Sequence, residues 1–582
     1  MKHPAFTNLP ARALTLLRRT GPYLALILIV SAWLLARFTG EAPSAYAIGH
    51  AIAGRVMDEQ GRPILDAEVV LFVNNDRSEP IAEDSTQRDG SFLLFLPPDE
   101  TIRSAHLEIT RHHFHSFTWD AAGDELRLLR KQGALILDDI TLSHSYSPGF
   151  WIAAVIFIGM LVLIAIERFH STLTALLATA AIFLISFVGG HFTEALYIID
   201  FEHALDHIDF EVIFLLMGMM IVIGIIEETG IFQWLAYYAY RLSRGKVWLL
   251  CIILMLIASV VSAMLDNVTT MLLITPMTIE IALALGTNPL ALLIPALMAA
   301  NVGGTATLIG TPTNILVGSY AGLGFNDFLI NLTPGVLMME AALIVFALLW
   351  YRRQHRRAGA GVSPALLKRL EENSKIKDPL RLRKALIVLA LLLLLFIIGE
   401  RFHLTPAVSA IIGAVAMLIW VNPDIEQMMG VVDWTTLVFF MGLFIVVGAV
   451  DEVGLIGTVA DAIAAVVGNS LPAAMMVLTW ASTLLSGVVA NIPFTAAMLP
   501  AVDYLTRAVP SAVGPDLFFA LALGAAAGGN LTLIAASPNL VVAGITERAG
   551  YPLTFIEFLK VGVPATLITT AMGALWLVIR FL

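Results

Sequence analysis

The chain has 582 residues, of which 58% are hydrophobic and only 14% charged, with a formal net charge of −11 and a mean hydropathy of +0.84. Soluble proteins average about a quarter charged residues, so this deficit and the long apolar runs exclude an ordinary soluble fold. The acidic balance argues against a nucleic-acid partner. The single cysteine, Cys251, excludes an internal disulfide framework and a Cys-rich metal site.

In chain order, Lys2, Arg12, Arg18 and Arg19 precede an apolar run from Pro22 to Ala36, and Ala45-Tyr46-Ala47 looks like a signal-peptidase site. Residues 1–49 are therefore an anchor helix or a cleaved signal, and the length of the run favours the anchor. Both readings export residues 50–146. That stretch is polar, with alternating patterns at Ala67–Val73 and Ser91–Leu96 and turn signals at Asp58–Gly61, Asn74–Asp76, Asp89–Gly90 and Pro97–Pro98. The pattern predicts a small all-β sandwich. Gly54-Arg55-Val56, Gly61-Arg62-Pro63, Ala67 and Asp89-Gly90-Ser91-Phe92 resemble carboxypeptidase-regulatory-like, transthyretin-type domains. The resemblance implies a binding or scaffolding module without catalysis. His112, His113 and His115 have no carboxylate or Cys spacing beside them and read as histidines of a solvated strand, not metal ligands.

The remainder is expected to be two copies of one unit, at 150–351 and 385–582, joined by a basic cytoplasmic linker at 352–384. Asp209 to Gly230 and Asp433 to Gly454 match at Asp, Met-Gly, a second Gly, Glu and a last Gly, all at one constant spacing. Ser262, Asn267 and Pro276 meet Ser486, Asn491 and Pro500 at the same spacing. Gly303-Gly304-Thr305 meets Gly528-Gly529-Asn530 one residue later, and Asn314 meets Asn539. Glu167-Arg168-Phe169-His170 echoes Glu400-Arg401-Phe402-His403. Lys and Arg mark cytoplasmic loops. They crowd the linker, follow Gly230 in the first copy (Arg241, Arg244, Lys246), and follow Asn539 in the second (Arg548, Lys560). The two copies then enter the bilayer from opposite faces. The expected fold is a polytopic α-helical membrane protein with two inverted repeats, each of five spans plus a re-entrant hairpin. The first copy's spans start near Trp151, Thr172, Phe210, Leu290 and Pro334. Its hairpin lies between Val247 and Leu285.

Two elements per copy break the apolar pattern: the hairpin tips (Asp266-Asn267, Ala490-Asn491) and the Gly- and Thr-rich interruptions (Asn301–Asn314, Gly528–Asn539). Irregular backbone at bilayer depth survives only where it is buried in protein or lines water, and broken helices in corresponding positions of two halves mark a midplane site. The site residues expected on this ground are Asp266, Asn267, Thr269, Thr270, Gly303, Gly304, Thr305, Asn314, Asn491, Thr495, Gly528, Gly529, Asn530 and Asn539. Neutral Asn, Thr and carbonyl oxygens suit Na+, with Asn267, Asn314, Asn491 and Asn539 as its ligands, and helix N-termini suit an anion. A carboxylate at mid-membrane costs at least about 2.5 kcal/mol, so Asp266 is expected to bind Na+ or carry a proton. Taken singly, the glycine pairs read as helix-packing positions.

Leu265 to Pro276, Asn301 to Asn314 and Ala490 to Pro500 resemble the ion transporter superfamily. That superfamily takes in arsenite permeases, bacterial Na+/H+ antiporters, the melanosomal P protein and divalent-anion:sodium symporters of the citrate-transporter type. The resemblance implies a scaffold and a moving transport domain, elevator-like alternating access and a homodimer. The symporters carry Ser-Asn-Thr at both tips, whereas here only the asparagines match. Asp266 looks like the antiporter and P-protein side, and Thr311-Pro312-Thr313-Asn314 like the anion symporters. The expected function is secondary transport of a small anion or cation, coupled to Na+ or H+ and needing no cofactor, in the plasma (inner) membrane. An arsenite or oxyanion efflux permease is one alternative. A receptor or sensor reading ligands through residues 50–146 is another. No HExxH or Ser/His arrangement supports an enzyme.

Overall fold

The computed structural model describes residues 51–59, 61–74, 80–96, 103–121, 123–166, 169–357, 371–372, 375–468, 470–509 and 514–582. The N-terminal anchor or signal, the Asn75-Asp76 and Pro97-Pro98 turn residues, the Glu167-Arg168 pair and the middle of the basic linker lie outside these residues.

The chain divides into two compact units. The smaller comprises the described residues within 51–55, 68–109 and 118–140. It belongs to a β region of eight strands: β1 (Ala51–Asp58), β2 (Glu68–Val73), β3 (Ala82–Ser85), β4 (Ser91–Phe95), β5 (Ala105–Thr110), β6 (Phe117–Asp120), β7 (Ala134–Ile136) and β8 (Ile140–Leu142), with helix α1 (Gly123–Gln132) between β6 and β7. One sheet runs β4-β1-β7, with β8 also on β1; the other runs β3-β2-β5-β6. Period-two alternation buries one face of each: Ile52, Phe92 and Leu94 from the first, Val69, Leu71, Leu107 and Ile109 from the second. Gly54 stands opposite Phe92 in the ladder, and a Cβ there would meet the Phe92 ring at 2.8 Å.

The larger unit comprises residues 56–67, 110–117 and 141–582. Its main helices are α2 (Pro148–Ile166), α3 (Ser171–Leu184), α4 (Phe210–Glu227), α5 (Ile231–Ser243), α6 (Val247–Met264), α7 (Asn267–Ala284), α8 (Leu290–Gly304), α9 (Pro312–Ala321) and α10 (Thr333–Trp350). They continue as α11 (Pro379–Gly399), α12 (Pro406–Val421), α13 (Trp434–Glu452), α14 (Leu455–Val467), α15 (Leu471–Val489), α16 (Asn491–Ala508), α17 (Asp516–Gly528), α18 (Ser537–Arg548) and α19 (Phe555–Phe581). Among the described residues, ten helices are long and apolar enough to cross a bilayer, and the protein is a multi-pass membrane protein. The expected span starts coincide with α2, α3, α4, α8 and α10. The expected hairpin is α6 and α7, two arms of 18 residues joined at Leu265-Asp266.

Sequence decides which helices face lipid. On α2, Trp151, Val155, Ile158, Val162 and Ile166 form an exposed apolar stripe at helical spacing. By contrast α8 and α17 are apolar all round and buried along nearly their whole length, as central helices must be. Residues that match between the two sets do matching jobs. Asp209 and Asp433 cap α4 and α13, each through Oδ1, accepting from Val212 N at 3.2 Å and Thr436 N at 3.1 Å. Gly230 and Gly454 (φ +81 and +85) make the left-handed turns into α5 and α14, where a Cβ would be strained.

Two groups of helices result. In one, α2 packs on α3, α3 on α13, α4 on α12 and α11 on α12. In the other, α6 packs on α8, α7 on α18, α9 on α16, α15 on α17 and α10 on α19. Residues 56–67 and 110–117 meet the end of α13. Arg62 bridges Asp58 and Asp451 (2.7 and 3.0 Å), and Arg111 faces Glu452 at 3.5 Å. His112 and His113 lie in a turn rather than a strand, with His113 Nε2 2.7 Å from Ile198 O, and Phe114 after them makes an isolated antiparallel bridge to His144.

Burial by itself lowers the pKa of His203, but its hydrogen bond to Asp200 (Nδ1–Oδ2, 2.6 Å) and that carboxylate's charge, with Asp66 on Nε2, outweigh it and raise the pKa. His207 is raised in the same way, its burial outweighed by Glu452. A raised folded-state pKa contributes stability that is full below the ordinary histidine range and is lost as pH rises through the raised value. Protection factors of residues 194–209, with the intrinsic pH dependence of amide exchange divided out, should therefore be higher at pH 6 than at pH 8. Asp200→Asn should flatten the difference; an unchanged pH profile in that variant would remove Asp200 as the cause.

Candidate functional site

Both central helices stop in mid-course. α8, about 22 Å long, ends at Gly304, and α9 does not begin until Pro312; α17 ends at Gly528, and α18 begins at Ser537. The intervening turns leave carbonyls that no helix partner answers, and at this depth water does not answer them either. One asparagine in each turn does so. Asn314 Nδ2 donates to Thr307 O (2.8 Å), Thr305 O (3.0 Å) and, at 3.5 Å, Gly304 O. Asn539 Nδ2 donates to Gly529 O (2.8 Å) and Thr532 O (3.0 Å).

The turns are pinned to the neighbouring helices by matched hydroxyls. Ser262 and Ser486 donate to Ala300 O and Ala525 O (2.7 and 2.9 Å). Thr307 and Thr532 donate to Ala263 O and Gly487 O. Gly303 and Gly528 permit the close approach: a Cβ would lie 2.5 Å from Ser259 O and from Thr483 O respectively.

The two turns are linked by a buried amide chain. Asn267 Nδ2 donates to Asn301 Oδ1 (3.0 Å). Asn301 Nδ2 donates to both Asn530 Oδ1 (2.9 Å) and Asn539 Oδ1 (3.1 Å). Asn530 Nδ2 returns to Met298 O (3.1 Å). The chain thus brings together the tip of the α6–α7 hairpin and both interruptions. At the other tip, Asn491 N donates to Ala535 O (3.0 Å), tying the start of α16 to the second interruption by backbone.

The two tips differ. Asp266 caps α7, its Oδ1 accepting from Val268 N (2.7 Å) and Thr269 N (2.9 Å). Its counterpart Ala490 caps nothing and has φ +82, ψ 139, a region that side-chain-bearing residues rarely adopt. Of the other expected residues, Thr270, Thr305 and Thr495 donate back along the chain, to Asp266 O, Asn301 O and Asn491 O. Asn301 is not among the expected site residues. Its matched position is Ala526, so comparing the copies passes over it; a polar amide inside the otherwise apolar α8 is the signal that finds it.

A cavity of about 790 Å³ reaches this region between the two helix groups. Val212 and Leu215 of α4 with Glu400 and His403 line one wall, and Leu308 and Ile315, beside the first interruption, line the other. Asp209 lines this cavity and also a smaller one, of about 100 Å³, against Tyr320, Leu499 and Pro500.

Interrupted helices around a shared amide network, beside a cavity between two helix groups, fit a membrane transporter, and the sequence relatives name that class. The chain belongs to the CitMHS family, described as citrate transporters, whose model matches residues 161–524. It is 37% identical over 432 residues to an uncharacterised transporter of Mycobacterium tuberculosis (strain ATCC 25618 / H37Rv), covering 74% of this chain and 98% of that one. It is 37% identical over 435 residues to the 46 kDa membrane protein of Mycobacterium leprae (74% and 99%). It is 33% identical over 597 residues to the P protein of Homo sapiens (86% and 70%). The crystal structure of the Alcanivorax borkumensis YdaH transporter superposes with a TM-score of 0.50 over 74% of this chain and 98% of that chain; at 13% identity it speaks for the fold alone.

Two substitutions test the geometry by thermal unfolding of purified protein. Ala490→Gly should stabilise by about 0.5–2 kcal/mol, because the relieved backbone strain exceeds the entropy glycine adds to the unfolded chain. Gly528→Ala should destabilise by about 1–3 kcal/mol through overlap with α15; an unchanged melting temperature would contradict the close packing.

Proposed function

We propose that the protein is a cation-coupled secondary transporter that moves a small anion, with Na+ or H+ as the coupling ion, by elevator-like alternating access. The observation that carries this reading is the buried network of asparagines and turn carbonyls at the two helix interruptions. Its oxygens are neutral and hard, which suits Na+ better than a soft metal, and Asp266 supplies a nearby carboxylate able to balance charge or take a proton. The N-termini of α16 and α18 begin at alanines without a side-chain cap, so their dipoles remain available to an anion. The family description names citrate, a small anion of this kind.

The proposed scaffold is the group containing α2–α4 and α11–α13, and the moving body is the group carrying both hairpins and both interruptions. An inverted duplication is supported by the helix contacts. α6 packs on α8 as α15 packs on α17; α7 packs on α18 as α16 packs on α9; α4 packs on α12 as α13 packs on α3; α10 and α19 pack on each other. Exchanging α2–α10 with α11–α19 leaves this set unchanged, as a two-fold relation requires. The basic residues Arg241, Arg244, Lys246, Arg381, Arg383, Arg548 and Lys560 are assigned to the cytoplasm. The larger cavity, bounded by Asp209, Gly322 and Thr405, then opens outward. In this reading residues 50–146 are external, the protein sits in the plasma membrane, and it works as a homodimer.

The test is flux into proteoliposomes under imposed Na+ and pH gradients, with citrate and other small anions as cargo. Asn267→Ala, which strips a donor from the buried network, and Asn491→Ala, which removes the tip amide while leaving its backbone bond to Ala535 O, should each lower gradient-driven flux by about tenfold or more. Wild-type rates in both variants would refute the assignment.

A further inference from the structure

We propose that the two symmetry-matched half-sites are not equivalent: the first binds the coupling cation, while in the second the amide of Asn301 stands where a cation would. The inference rests on the cation-coupled reading above and deepens it.

The two halves build nearly the same cradle. In each, one asparagine turns its Nδ2 onto the carbonyls of the interruption, which fixes the amide plane. The difference lies in the oxygen of that amide. Asn314 Oδ1 is fully buried and, among the described residues, has no hydrogen-bond partner. Leaving such an oxygen unanswered destabilises the fold, and buried groups are otherwise almost always paired. An acceptor held open at a carbonyl-rich turn is a ligand position. Asn539 Oδ1, its counterpart, already accepts from Asn301 Nδ2 at 3.1 Å.

Asn301 occurs once. Its matched residue is Ala526, so the second copy has no amide at the equivalent position to offer the first half-site. Its orientation is fixed, because its own Oδ1 accepts from Asn267 Nδ2 and its NH2 group therefore points at Asn530 and Asn539. An NH2 group shared between two amide oxygens offers them partial positive charge without an ion. Charge follows the same division: the first tip carries Asp266 and the second carries Ala490. A buried cation needs a compensating negative charge, and only the first half supplies one at its tip.

The experiment measures bound Na+ per chain, after equilibrium dialysis of the purified full-length protein, together with Na+- and Li+-dependent thermal stabilisation at constant ionic strength. Wild type should hold a single Na+ per chain, with a Hill coefficient near unity. Asn314→Ala should lose both binding and stabilisation, and Asn539→Ala should keep them. Asn301→Asp keeps the acceptor for Asn267 but replaces the NH2 with an oxygen, so it should gain a second Na+. Asn301→Ala, which copies the residue of the other half, is the parallel variant where the aspartate disturbs folding. Two Na+ in wild type, or loss in Asn539→Ala with retention in Asn314→Ala, would overturn the inference and leave cation coupling standing. A single Na+ in both Asn301 variants would also overturn it. No Na+ or Li+ binding to wild type would overturn Na+ coupling itself, and this inference with it.

Discussion

An α-helix can stop inside a bilayer only if its loose carbonyls find donors, and two asparagine side chains meet that demand here. Each answers at least two carbonyls of its own turn from the first turn of the following helix. Without that answer, each carbonyl would cost about 1–3 kcal/mol, and a continuous helix would be the better solution. The amide suits the task because it carries two donors and no charge. A lysine would bring the donors with an ion to desolvate, and a serine has only one proton to give.

The rest of the neighbourhood follows from holding those turns still. Glycine at 303 and 528 lets α8 and α17 lie against α6 and α15 closely enough for Ser262, Ser486, Thr307 and Thr532 to reach backbone oxygens on the adjacent helix. Close backbone approach and hydroxyl-to-carbonyl bonds are what hold helices together where lipid gives no hydrophobic drive. The packing and site readings of the glycine pairs are thus parts of one arrangement. Gly303 and Gly528 make the contact, while the carbonyls of Gly304 and Gly529 point to the asparagines. Because α8 and α17 are buried on every side, the turns they end in are shielded from lipid, and the cavity between the helix groups is lined by Leu308 and Ile315, which flank the first of them.

Much of this was legible in the sequence, because membrane helices and matched copies write themselves in residue types. Span starts followed from apolar runs. Asp209 and Asp433, and Gly230 and Gly454, stood out as matched residues at one spacing, and the structure adds their roles as caps and left-handed turns. The network's connectivity was not legible, since which amide reaches which depends on packing between helices far apart in sequence. Asn301 shows the limit: self-comparison rewards residues that recur, and Asn301 matters because its partner position, Ala526, does not repeat it. The strain at Ala490 was equally hidden, since alanine carries no signal for a positive φ. The histidines at 112, 113 and 115 fell in a strand-like stretch, but the chain turns at His113 (φ +69) and hydrogen-bonds it to Ile198.

Several of the places where the two sets disagree lie at or beside the network. Asp266 faces Ala490, Asn301 faces Ala526, Thr305 faces Asn530, and Thr311, which caps α9 through Asn314 N, faces Ala536. Under the proposed inverted duplication, a sequence identical in both copies would give inward and outward states that are mirror partners of equal energy, each holding the same solutes. A ligand shifts such an equilibrium only through a difference in affinity between states. Confining charge to one tip and a self-supplied amide donor to the opposite half-site creates a difference the duplicated backbone cannot provide. On the proposed reading the backbone stays nearly symmetric, which keeps both end states accessible, and these few side chains supply the difference between them.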